Sequence, residues 1–214
     1  MYLPKHFVPT DPQAPALIVR HYPLAQVVRL DADGHLACDP IPLLMQGELK
    51  AGASLLGHVA RANVLWQQQG AVLAIFAGPR AYVTPNAYPG KAEHHRVVPT
   101  YNYATVQVSG QLVAHDDPVR TLEIVRLLTE AAETSQPAPW SVDDAPEDFV
   151  QANLRAIVGI EIQIESVVTK FKLSQNKSGT DHAGVLDYLA GSAADSDAAD
   201  MIKLMTDHQK PTSS

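Results

Sequence analysis

Two long runs of strand-like residues, 100–114 and 156–171, do most to limit what this chain can fold into. Shorter candidates flank them at 24–30, 36–45, 71–76 and 81–84. Asp33-Gly34 is a strong hairpin signal between the first two. Pro40 and Pro42 withhold backbone donors, which predicts an edge strand or a bulge for the second. Gly78-Pro79 reads as a break between the third and fourth. Helices are expected between the strands. One begins near Thr10 and stops before Pro23. A second follows the Asp116-Asp117-Pro118 cap and runs to about Glu133. Others are expected at 147–154, after Asp181, and around 201–205. Six or so hairpin-linked strands with inserted helices predict a mainly β, α+β chain. Its sheet should be an antiparallel barrel rather than a doubly wound parallel sheet. Neither a Gly-x-Gly-x-x-Gly unit nor a Gly-Lys-Ser/Thr phosphate loop occurs.

A chain of 214 residues can bury a substantial core. One domain is expected over 1–190, followed at 191–214 by a small-residue acidic stretch, a short helix and a mobile tail. No apolar stretch approaches the ~20 residues that span a bilayer, and the first residues do not read as a signal peptide. The lone Cys38 has no internal partner and is expected to be a small buried apolar residue. The expected compartment is the cytoplasm, with no membrane partner. A net charge of -7 argues against broad nucleic-acid binding, and no helix pair carries a basic recognition helix. Direct DNA binding is therefore not expected.

Three segments concentrate chemistry. Phe171-Lys172-Leu173-Ser174-Gln175-Asn176-Lys177 closes the last long strand with two cations, a hydroxyl and two amides. Such a set suits a phosphate or a polar ring edge; a solvated turn leading into a helix would look similar. Gly57-His58-Val59-Ala60-Arg61-Ala62-Asn63 reads as the opening of a helix-like run to Gln69, where Arg61 and Asn63 beside free N–H groups would suit an anion. Val98-Pro99-Thr100-Tyr101-Asn102-Tyr103 leads into an alternating strand, 105–110. Arg61, Arg96, Lys170, Lys172 and Lys177 suit one or two phosphates better than a duplex if they cluster. Glu93-His94-His95 lacks the spacing of a metal site, and no nucleophile-elbow motif is present. No catalytic residue and no metal ligand is expected.

Taken in order, these segments carry a resemblance. Met1 to Phe7, Gly57 to Asn63, Val98 to Tyr103, Ile157 to Ile162 and Lys170 to Asn176 resemble motifs of the PaiB-like family, the FMN-binding negative transcriptional regulators. The likeness covers residues 1–189, with Tyr101 standing where the family carries Trp and Gln107 where it often carries His. It implies an FMN-binding split barrel that forms a homodimer, with FMN at the subunit interface and a regulatory role. On this reading His58, Arg61 and Asn63 hold the phosphate end, with Lys172 as a further cation. Tyr101, Asn102, Ser174 and Gln175 contact the ribityl chain or ring edge. Arg61→Ala would then weaken FMN and spare riboflavin. The alternatives are a flavin-dependent oxidoreductase of unknown substrate, or a dimeric barrel that has lost its ligand.

Overall fold

The structure, a computed structural model, describes residues 1–191 and 196–208. Seven strands are present: β1 (Leu24–Leu30), β2 (Leu36–Pro42), β3 (Leu44–Gln46), β4 (Ser54–Ala60), β5 (Gly70–Val83), β6 (Thr100–His115) and β7 (Ile157–Lys172). They form one antiparallel sheet in the order β2-β1-β5-β6-β7-β4-β3. The helices are α1 (Ala14–His21), α2 (Lys91–His94), α3 (Pro118–Glu133), α4 (Glu147–Leu154), α5 (Gly179–Ala190) and α6 (Ser196–Asp207). The expected α+β class with an antiparallel sheet is the one observed. The tail expected to be mobile lies outside the described residues from position 209 onward, as do residues 192–195 of the acidic stretch.

The β1–β2 hairpin turns at the expected Asp33-Gly34. Gly34 takes φ +80°, and the Asp31 carboxylate accepts from the amides of Asp33 and His35. β2 is the edge strand that its prolines predict. Cys38 on β2 is exposed, not buried; its thiol donates to Gln26 Oε1 at 3.4 Å. The edge position decides this, since every second residue of β2 faces out. The helix-like run expected from Gly57 to Gln69 is instead β4 followed by a short 3-10 turn, Val64–Gln67. All seven residues of β4 pair with β7, from Ser54 with Gln163 to Ala60 with Ile157. Tertiary pairing thus overrides a weak local preference. The expected break at Gly78-Pro79 is also absent, and β5 runs through it. A side chain at Gly78 would press at 3.1 Å on Ala104 and on Ile18, so this glycine serves packing and not a turn.

The chain divides into two compact units. Residues 1–18, 77–106 and 169–214 form the first, and residues 19–76 and 107–168 the second. The core of the second holds Val27, Leu55, Leu56, Phe76, Val108, Leu112, Ile124, Ile160 and Ile162, all almost wholly buried. There β6 and β7 approach so closely that a Cβ on Gly110 would stand 2.2 Å from the Gln163 carbonyl oxygen. The core of the first holds Tyr88, Phe171, Leu173, Val185, Met201 and Met205. In it α5 lies on the 85–87 turn: a Cβ on Gly184 would meet the Ala87 oxygen at 2.4 Å and Pro89 Cδ at 2.5 Å. Among the described residues no helix is long and apolar enough to cross a membrane.

Candidate functional site

The expected site residues fall into two groups, one in each unit. In the second unit, His58 lies on β4, Arg61 follows the strand, and Asn63 caps the 3-10 turn by accepting from Leu65 N at 2.8 Å. Asn63 Nδ2 donates to Asp39 Oδ1 at 2.9 Å, so both ends of its amide are engaged. Arg61 is engaged more fully. Its guanidinium pairs with Asp116 at 2.7 Å, donates to the Arg155 and Ile157 carbonyls at 2.8 and 3.2 Å, and lies 5.7 Å from the Trp66 ring centre. Its hydrogen bond to Asp116 chiefly raises the Arg61 pKa and lowers that of Asp116. His58 and Asn63 share an open pocket of about 270 Å³ with Asp39, Pro40 and Ile41. Burial keeps the His58 imidazole below its ordinary pKa, and its Nδ1 is buried without a partner. A neutral ring beside a carboxylate offers an anion little attraction.

The other five expected residues, Tyr101, Asn102, Lys172, Ser174 and Gln175, come together in the first unit, where β7 ends next to the start of β6. Lys172 Nζ donates to Thr100 Oγ1 and, at 2.6 Å, to the Tyr101 carbonyl. Tyr101 thus contributes its backbone here, while its exposed ring meets Tyr82 edge-on at 5.5 Å. Gln175 is spent on the turn itself: it accepts from Leu173 N at 2.7 Å and donates to the Phe171 carbonyl at 2.6 Å. Ser174 sits in the left-handed region at φ +64°, a conformation that costs a serine energy. The strain turns its buried hydroxyl toward Asn102 Oδ1, 3.1 Å away. Asn102 is wholly buried, and its amide reaches Met205 Sδ at 3.5 Å.

Lys172 is the cation of this group, and its hydrogen bonds to Thr100 and Tyr101 go to neutral acceptors. Burial pushes its pKa down first, and the positive charges of Lys170 and Lys177 push it down further. Among the described residues no carboxylate lies within ion-pair distance of any of the three. Lys170 is buried, donating to the Tyr2 carbonyl at 3.1 Å with the Tyr2, Phe7 and Tyr103 rings about it. Lys177 Nζ lies 4.6 Å from the Tyr88 ring centre. Tyr88 and His182 escape sequence reasoning because they lie in a loop and a helix with no motif. Both are buried, with Tyr88 Oη and His182 Nδ1 lacking partners. Burial raises the Tyr88 pKa and lowers that of His182.

A seven-stranded antiparallel sheet with inserted helices defines an α+β protein of the split-barrel class. A FAD and heme binding protein from Mycobacterium smegmatis shares it at a TM-score of 0.54 and 14% identity, over 76% of this chain and 72% of that one. The chain belongs to the family described as "Putative FMN-binding domain", whose profile matches residues 1–166. Protease synthase and sporulation protein PAI 2 of Bacillus subtilis is 28% identical over 98% of this chain and 99% of its own length. An uncharacterized Aspergillus fumigatus protein is 35% identical over 54% of this chain, a match spanning about half (51%) of that relative. FMN is accordingly the cofactor to be tested against the site.

Proposed function

We propose that this chain binds FMN through the first-unit group and acts as a homodimeric regulatory flavoprotein of the cytoplasm. The observation that carries the binding is Lys172, half-buried between two further lysines and facing no carboxylate. Confining like charges at a strand end is unfavourable unless an anion joins them. The lysine N–H groups suit the phosphate of FMN, while the Ser174 hydroxyl and the Asn102 amide, buried and bonded to each other and to Met205, hold the strand end behind them. When bound, FMN would supply electron or hydride transfer, and the protein would supply binding and orientation. The His58, Arg61 and Asn63 phosphate assignment has less support, because Arg61 and Asn63 already serve carboxylates. The regulatory part is supported by the likeness to the Bacillus sporulation protein over nearly the whole chain. Direct DNA binding is not part of this reading, given a net charge of -7.

Titration of the purified protein with FMN, followed by flavin absorbance and fluorescence, tests the binding. Saturable binding weakened by Lys172→Ala, with riboflavin affected less, is expected. Absence of FMN binding by the unmodified chain would sink the reading. Sedimentation at micromolar concentration should show a dimer, and a monomer would remove the homodimer.

A further inference from the structure

We propose that Tyr88 and Lys177 complete a phosphate-binding site with Lys172 in the first unit, and that this pair selects phosphorylated over unphosphorylated flavin. The inference rests on the flavin reading but names residues that neither the sequence motifs nor the family likeness assigns to flavin.

The argument starts from unmet valence. An ammonium group has three donors, and Lys172 spends two, on Thr100 Oγ1 and the Tyr101 carbonyl. Lys177 rests on the Tyr88 ring without an acidic partner among the described residues. Tyr88 is 1% exposed, and its hydroxyl lies against the Ser174 hydroxyl yet closes no well-formed hydrogen bond. A buried phenol without a partner is uncommon, because leaving water uncompensated is costly. Its ring lies 4.6 Å from the Lys177 ammonium, whose charge in turn acts on Lys172, and a phenol with two cations is the composition of a phosphate site. Ser174 supplies an independent sign, since non-glycine residues in the left-handed region gather at ligand clamps.

The nearby charges agree with a phosphate monoester. Lys170 raises the positive field at Lys172 but is enclosed by rings and by Tyr2, so it acts at a distance. Among the described residues Asp181 is the carboxylate whose charge acts on Tyr88, and its Oδ1 accepts from Gly90 N at 3.0 Å. Three cations and one carboxylate leave a surplus of two positive charges, which matches a phosphate monoester of about −1.5 to −2 near neutral pH.

The test titrates FMN, riboflavin and inorganic phosphate into the unmodified protein, Tyr88→Phe and Lys177→Met. Both substitutions keep the packing, and far-UV circular dichroism verifies the fold. Each should weaken FMN roughly tenfold, the order expected for a lost charge-assisted hydrogen bond. Riboflavin should change less than twofold, and Lys177→Arg should retain most FMN affinity. Phosphate should compete with FMN in the unmodified protein, and at equal FMN saturation about ten times more of it should be needed in Lys177→Met. Equal losses for both flavins would overturn the proposal. So would unchanged FMN affinity in both variants, which would leave the flavin reading intact. Phosphate binding that is lost in Lys177→Met, with neither flavin bound, would keep the anion site and sink the flavin reading.

Discussion

At the scale of single residues, the structure separates side chains that have partners from side chains that lack them. Arg61 has a carboxylate, two carbonyls and an indole. Arg61→Ala should therefore lower the melting temperature and change FMN and riboflavin affinity by the same small factor. A loss confined to FMN, measured by paired titrations, would return Arg61 to the phosphate. Lys172 has two neutral acceptors but, among the described residues, no carboxylate. Its pKa is depressed by burial and by two lysines, so an arriving anion favours its charged form. FMN affinity should fall as pH rises through the depressed Lys172 value. It should also fall at the acid end, where the phosphate loses its second charge near pH ~6. Isothermal titration across this range should give a bell-shaped profile, and Lys172→Met should flatten its alkaline side. The residue types at 171–177 were legible in the sequence as a donor set. The orphaned Tyr88 hydroxyl was not, because a missing partner is a property of three-dimensional packing.

At the scale of elements, the sequence showed most of the sheet. The long strands, the hairpin at Gly34, the proline-marked edge and the Asp117-capped helix α3 stand within a few residues of expectation. The single strand expected over 36–45 is two, β2 and β3, at opposite edges of the sheet, and two further elements were misread through glycine. Gly57 looks like a helix start, yet it lies inside β4, where a side chain would press on Leu43 at 2.9 Å and the Pro42 carbonyl at 3.0 Å. Gly78 looks like a gap between two strands and is a close packing point inside one. A glycine needed for close approach and one needed for a turn are the same letter, and only the neighbouring strand tells them apart. Gly110 carries the strongest consequence. Gly110→Ala would force a methyl against the Gln163 carbonyl and should destabilise the protein by about 1–3 kcal/mol, the range typical of overpacking. Urea unfolding measures this, and an unchanged midpoint would show that β6 and β7 can part at no cost.

At the scale of the whole molecule, three groups that titrate below pH 7, Glu161, His58 and His182, point one way in pH. Burial raises the pKa of Glu161, but the Ser54 hydroxyl, His115 and Arg120 outweigh it and hold the carboxyl below its ordinary 4.5. Its contribution to stability is present above that value and is lost as pH falls through the depressed folded value. His58 and His182 are held below 6.5 by burial, so theirs is present above 6.5 and lost as pH falls through the folded values. The melting temperature should therefore begin to fall below about pH 6.5 and fall again below about pH 4.5. Glu161→Gln should blunt the second step and leave the first. A melting temperature flat from pH 7 to 4 would contradict all three shifts.

The contact at Gly184 also has a bearing on time. Nothing bulkier than hydrogen separates α5 from the Ala87 carbonyl, so the helix and the loop that carries Tyr88 have no slack between them. Whatever stills Tyr88 should slow the opening of α5 as well. Saturation with FMN should lengthen amide hydrogen-exchange lifetimes along residues 183–190, which lie outside the proposed phosphate contacts. Lifetimes that change at Tyr88 and nowhere on α5 would mean that loop and helix breathe independently.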